Sequence, residues 1–147
     1  MIQYAVERYK DVIEEIKPLL ILHWQELAAF PDIPLDPNYN FYEVANNRDL
    51  IRIYTARDDG KLVGYAIYII SLSNPHYMSM KTANSDIVFV HPDYRNGGVG
   101  YGLYEFIESQ LPGFVISTND KISHPELGRL MKARGYEAVT TAWVKRT

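Results

Sequence analysis

One run in the second half of the chain combines residue types that suit phosphate: Val90-His91-Pro92-Asp93-Tyr94-Arg95-Asn96-Gly97-Gly98-Val99-Gly100-Tyr101-Gly102. An apolar strand pattern leads into it and an amphipathic helix pattern leads out. The first N–H groups of a helix lack partners within the helix, and the helix dipole is positive there. Glycines let a ligand approach the backbone closely, and Arg95 adds a fork of charged donors. A phosphate or pyrophosphate is the ligand such a turn fits. Nucleotide hydrolysis is not supported, because Gly-Lys-Ser/Thr is missing: Gly100 is followed by Tyr101-Gly102. The dinucleotide fingerprint fits only in part. Gly98 and Gly100 match, but Leu103 fills the last position, and the preceding chain reads as a hairpin rather than a βαβ unit. A glycine-rich connection serving geometry alone is the plainer alternative. Arg95, the spacing and the strand before the turn weigh against it.

Other reactive types are sparse. His23 and Glu26 are three apart and share one flank of a helical pattern. His76-Tyr77 falls in a loop. No third ligand stands at a convincing spacing, so no metal site is expected. The chain has no cysteine, which excludes a disulfide framework, a thiolate site and a Cys nucleophile. Most of the 12 tyrosines suit half-buried strands and core.

The elements that must position these residues follow from periodicity. Ile2, Tyr4 and Val6 alternate as a short strand. Val12, Ile13 and Ile16 fall at helical spacing until Pro18, which interrupts or bends that helix. Leu20, Trp24, Leu27 and Ala28 make a second helical stripe. Pro31, Pro34 and Pro37 mark a loop. Ile51 to Tyr54 and Leu62 to Leu72 are strands joined through Asp58-Asp59-Gly60, an antiparallel hairpin signal. Asp86 to Val90 is a further strand. Val99, Leu103, Phe106 and Ile107 form a helix stripe ended by Pro112-Gly113. Phe114 to Ser117 is a short strand. Ser123-His124-Pro125-Glu126 opens a helix with a capping-box spacing, Gly135 suits its left-handed end, and Tyr136 to Val144 reads as a last strand. The expected order is β-α-α-β-β-β-α-β-α-β: one α/β (α+β) domain over residues 1–147, with a mixed, mostly antiparallel sheet flanked by helices.

Composition narrows the function classes. A chain of 147 residues with 47% apolar and 22% charged residues is long enough for one packed domain. Its net charge of −3 without basic runs argues against nucleic acid or anionic membrane as a partner. No apolar stretch approaches the ~20 residues of a membrane span. Met1-Ile2-Gln3-Tyr4-Ala5-Val6-Glu7 lacks a signal-peptide pattern. A cytoplasmic domain is expected.

Arg95-Asn96-Gly97-Gly98-Val99-Gly100 resembles the R/Q-x-x-G-x-G/A motif of the GNAT superfamily of acetyl-CoA-dependent N-acetyltransferases. Val90-His91-Pro92-Asp93-Tyr94-Arg95 resembles the V-x-P-x-x-R that tends to precede it. Asp59-Gly60-Lys61-Leu62-Val63-Gly64 resembles the family's hairpin, Asn119 stands where an Asn often follows the fifth strand, and Gly135-Tyr136 resembles the pair closing the last helix. The resemblance covers about the whole chain. The His-Trp-x-Glu helix and the His-Tyr loop also look like segments of a phage-encoded branch, for which the compartment would be a host cytoplasm.

The resemblance implies an acyltransferase moving acetyl from acetyl-CoA to an amine of a small molecule or protein, with no metal. A homodimer is compatible with it. Acetyl-CoA would lie where the fourth and fifth strands splay, with its pantetheine arm on the backbone of Phe89 and Val90. The pyrophosphate would rest on amides from Arg95, Asn96, Gly97, Gly98, Val99, Gly100 and Tyr101, and Asn119 would contact the cofactor near the thioester. The Val90 amide would face the oxyanion. The acceptor would be lined by His23, Glu26, Tyr42, His76 and Tyr77. Asp86-Ile87-Val88-Phe89 looks like the Glu-Ile-Val-Phe strand of histone-type members, whose acidic residue is the base; His23, Glu26 and His76 are the other candidates. The family's acid position, Tyr-x-x-x-Gly-Phe, holds Met131 here, so the CoA thiolate would leave unprotonated, or Tyr77 or water would supply that proton, or catalysis would be lost. The contrasting reading is a non-catalytic acyl-CoA-binding or virion-associated interaction module with the same fold.

Overall fold

The computed structural model describes all 147 residues. Five strands form one sheet in sequence order: β1 (Ile2–Glu7), β2 (Ile51–Asp58), β3 (Lys61–Ser71), β4 (Lys81–Val90) and β5 (Phe114–Ser117). The first four are antiparallel to their neighbours, and β4 pairs with β5 in parallel. The β2–β3 hairpin closes through Asp59 and Gly60, both at positive φ (46° and 90°). Two such central residues give the turn twist that matches paired strands, which is why Asp-Gly stands there.

Helix α1 (Tyr9–Leu27) and helix α2 (Tyr39–Asn47) cover one sheet face, where Val12, Ile16, Ala45, Ile53, Ile67 and Phe89 share a core. Helix α3 (Val99–Gln110) covers the other with Leu103, Ile107 and Leu111 against Tyr54, Tyr68 and Ile70. Strand β3 is buried on both faces, which explains its almost unbroken apolar run. Helix α4 (Glu126–Ala133) buries Met131. No helix is long and apolar enough to cross a membrane.

Three elements differ from the periodicity reading. The two stripes on either side of Pro18 belong to one continuous helix. Pro18 is exposed, so the hydrogen bond that it cannot make is lost on the solvent side, where water replaces it. The second helix lies instead at Tyr39–Asn47. Asn38 caps it by accepting from the Phe41 N–H at 3.0 Å, and buried Asn46 accepts from Tyr9 N–H at 2.9 Å and donates to Ile51 C=O at 3.2 Å. Polar residues thus anchor that helix, and apolar periodicity is blind to them. Tyr136 to Val144 pairs with nothing and forms no strand. Val139, Trp143 and Val144 stand exposed, because strand propensity needs a partner ladder and none is beside them. The expected end of α4 is present: Gly135 takes φ +85°, and Tyr136 N–H bonds Met131 C=O at 2.9 Å, a Schellman closure.

Candidate active site

Strands β4 and β5 pair over four residues only, from Lys81↔Phe114 to Asn84↔Ser117. The fork begins there. Ser85 Oγ donates to Thr118 Oγ1 at 2.9 Å, and the Tyr104 hydroxyl lies 3.3 Å from the same oxygen. Beyond these hydroxyls β4 runs on to Val90 with no strand on that side. His91 N–H bonds Val63 C=O on β3 at 2.8 Å. Backbone groups alternate along a strand, so the N–H groups of Val90 and Val88 face the bare edge and those of Phe89 face β3. The pairing edge expected at Phe89 and Val90 is therefore Val88 and Val90. The Val90 carbonyl is taken, accepting from Arg95 Nε at 2.9 Å.

Asp86 marks the fork for a geometric reason. Ile67 pairs with Ile87 but Tyr68 pairs with Ser85, which leaves Asp86 as the extra residue of a β-bulge. Its exposed carboxylate accepts from the Tyr42 hydroxyl at 2.5 Å. Burial, then the bond to Asp86, pushes the Tyr42 phenol well above its ordinary value, so it remains a proton donor. Three consecutive polar residues, Asn84-Ser85-Asp86, break the alternation of β4 and are the sequence signal of the bulge.

The glycine turn is a 3₁₀ turn, Pro92–Gly97, followed by Gly98 at φ +78° as the N-cap of α3. His91 Nδ1 accepts from Asp93 N–H at 3.2 Å and starts the turn. No side chain caps α3, and a Cβ added at Gly97 or Gly98 would meet nothing within 4 Å. Unpartnered N–H groups over open space fit a pyrophosphate. Gly100 differs, since a Cβ there would touch Leu130 at 3.6 Å. Val99 is buried in the core and Tyr101 is exposed under the Arg134 guanidinium, 4.5 Å from its ring centre. Asn119 is exposed just past β5 at the fork.

Arg95 does not point free charge at that space. Both of its terminal nitrogens bond the Glu26 carboxylate of α1, one of them at 2.6 Å, and its guanidinium lies 5.5 Å from the Phe89 ring centre. The Arg95 hydrogen bonds are the main reason the Glu26 carboxyl sits below its usual range. The His23 ring packs on Phe89 at a tilt of 31°, with ring centres 5.2 Å apart. Burial lowers its imidazole below the ordinary value; Glu26 opposes the shift while Arg95 and Lys121 add to it. The imidazole is neutral at neutral pH. His23 and Glu26 thus stand beside the glycine turn, with Glu26 committed to Arg95.

His76 and Tyr77 are not brought there. They lie in the loop before Lys81, at the other end of β4 from Val90, a strand length of roughly 30 Å away. The loop opens on the wrong side because β4 runs away from it toward the glycine turn. Met131 is buried at the expected acid position and has no proton to give. The protic side chains that the fold does bring to the fork are Ser85, Thr118 and Tyr104. They are distant in sequence, and no motif links them.

On the α1 side, next to Tyr42 and Ile87, opens a groove of about 330 Å³. Trp24, Phe30, Ile33 and Leu35 line it, and Asp36 is its one charged residue.

A family model described as the acetyltransferase (GNAT) domain matches residues 49–138, more than half of the chain. The chain belongs to the GNAT acetyltransferase family, and it is an acyltransferase. No curated protein sequence matches it. Among solved structures, a ribosomal-protein-alanine N-acetyltransferase from Brucella melitensis biovar Abortus 2308 is 21% identical, with a TM-score of 0.74 over 100% of this chain and 99% of that one. An aminoglycoside acetyltransferase from an uncultured soil metagenomic sample, solved with sisomicin, is 15% identical (TM-score 0.71, 99% and 97% covered). A predicted acetyltransferase from Clostridium acetobutylicum, solved with acetyl-CoA, is 14% identical (TM-score 0.69, 100% and 96% covered). These likenesses establish the fold.

Proposed function

We propose that this protein transfers the acetyl group of acetyl-CoA to a primary amine by direct attack. One observation carries the reading. The bare edge of β4 joins an open glycine turn at one end to an exposed carboxylate on a bulge at the other. The N–H groups of Gly98 and the first turn of α3 would hold the pyrophosphate. The edge of Val88 and Val90 would hold the pantetheine arm as an added strand. Bound acetyl-CoA supplies the activated acetyl group.

Asp86 is the base in this reading. An amine must be neutral to attack, and a lysine-like amine has a pKa of about 10.4, so a proton acceptor at the fork is useful. Position selects the oxyanion donor. Val88 is two residues from Asp86, about 7 Å along the strand, while Val90 is four residues and about 13 Å away. One amine can reach the Asp86 carboxylate, directly or through a water, while its target carbonyl oxygen faces the Val88 N–H. The Val90 N–H would serve instead where water relays the proton over the longer distance to Asp86. Tyr42 holds the Asp86 carboxylate in place from α2. The hydroxyls of Ser85, Thr118 and Tyr104, or water, replace the missing tyrosine near the departing thiolate.

The test is calorimetric binding of CoA together with release of CoA thiol from acetyl-CoA in the presence of a panel of primary amines. Binding with amine-dependent thiol release supports the reading. Binding with no release from any amine overturns the transferase assignment and leaves an acyl-CoA-binding module. Absence of binding overturns the assignment of the glycine turn.

A further inference from the structure

We infer that the acceptor is a small primary amine carried on an aromatic or bulky aliphatic arm, and that the groove between α1 and the loop after it holds that arm. The inference rests on the transferase reading above and names its substrate class.

Continuity comes first. Ile87 and Tyr42 line the groove where it meets β4 and α2. Ile87 follows Asp86 in β4, and Tyr42 is hydrogen-bonded to the Asp86 carboxylate. A molecule lying in the groove therefore has one end at the carboxylate that would take its proton. The walls are apolar: Trp24 from α1, Phe30, Ile33 and Leu35 from the loop. Phe30 and Ile33 are 36% and 47% exposed, a cost in water that a bound apolar group would remove.

Charge excludes the other acceptor classes. A polycationic acceptor such as an aminosugar needs several free carboxylates. Here Asp32 at the rim is bonded through both oxygens by Arg146 at 3.0 Å, and Arg146 also lies over the Phe30 ring. Glu26 is held by Arg95. Asp36 is the one carboxylate on the lining, and Asp86 adjoins it through Ile87 and Tyr42, which suits a single positive charge on the incoming amine. Size sets the rest. About 330 Å³ is at the small end of ligand sites, matched to one ring and a short chain rather than to a folded protein segment. The transfer itself balances: the ammonium first gives one proton to Asp86, which passes it to solvent; the neutral nitrogen bonds the acyl carbon, the carbon–sulfur bond breaks, the second proton goes to Asp86, and the thiolate takes one from solvent.

The experiment compares 2-phenylethylamine, ethanolamine, an aminoglycoside, and peptides with N-terminal Phe or Gly, by thiol release, with CoA binding measured in parallel. The expected result is kcat/KM for 2-phenylethylamine at least about tenfold above ethanolamine and the aminoglycoside. Ile33→Ser and Trp24→Ala should each remove most of that preference and leave CoA affinity within about twofold. Ile33 is on an exposed loop, so that variant keeps the fold even where Trp24→Ala does not. If CoA binds and polar amines are used as well, the pocket assignment is wrong and the transferase reading stands. Preference for the Phe peptide over 2-phenylethylamine overturns the small-molecule class. If no amine turns over, quenching of tryptophan fluorescence by 2-phenylethylamine decides: saturable quenching lost in Ile33→Ser supports the pocket, and its absence overturns it.

Discussion

The Glu26 carboxylate grips the Arg95 guanidinium with both oxygens, so the last turns of α1 are tied to the turn that precedes α3. In the proposed site the motif arginine would shape the glycine turn instead of touching a phosphate, and the pair joins the end of α1 to that turn.

That relationship makes Glu26→Gln informative. If Arg95 shapes the turn, Glu26→Gln and Arg95→Ala both weaken CoA binding by about three- to tenfold, measured by calorimetry. Were Arg95 a direct phosphate ligand, Glu26→Gln would free it and tighten binding. Both side chains are about a third exposed, so each variant costs about 1 kcal/mol or less in stability. The Glu26 carboxyl is lowered in the folded protein. Its contribution is thus present above the unfolded value of about 4.3 and lost as pH falls below it.

Gly98 is the sharper probe of the glycine turn. Its φ of +78° costs a side-chain-bearing residue roughly 1–2 kcal/mol, while no atom blocks the added Cβ. Gly98→Ala should fold with a slightly lower Tm. Gly98→Glu should fold as well but lose detectable CoA binding, since its carboxylate occupies and repels the phosphate position. Wild-type affinity in that variant would falsify the site.

Asp86→Asn should lower kcat by about a hundredfold or more and leave CoA affinity unchanged. Tyr42→Phe retains the carboxylate but not its anchor, and a loss of only about three- to tenfold is expected. An unchanged kcat in Asp86→Asn moves the base to His23, whose imidazole is neutral and lies beside the same strand.

His23 gives a stability signature of its own. Burial lowers its folded pKa, so the unfolded chain binds a proton at a higher pH than the folded one. Stability is full above the unfolded value of about 6.5 and falls as pH drops below it toward the folded value. Thermal melts from pH 7.5 to 5.5 should show this decline. His23→Phe, which keeps the packing on Phe89, should flatten it.

Local chemistry sufficed for part of this architecture. The Asp59-Gly60 turn, the open glycine cap at Gly98, the helix closing at Gly135 and the acidic residue at Asp86 are each dictated by a backbone angle or a residue type. Neighbours in sequence decide such features, so they are legible in one chain. The family's motif belongs to the same class, because phosphate recognition by N–H groups is a property of one short segment.

The remainder depended on which distant segments meet. Pro18 is harmless because packing turns it toward solvent, which its own neighbours do not specify. Asp86 acquires meaning from the bulge against β3 and from Tyr42, more than 40 residues earlier. Arg95 is paired with Glu26, 69 positions away. His76 and Tyr77 have suitable chemistry at the wrong end of β4, and Tyr136 to Val144 has strand-forming residues without a ladder to join. Side-chain type is written residue by residue, but burial, ion pairing and strand pairing are properties of pairs. Only the tertiary fold chooses the partners.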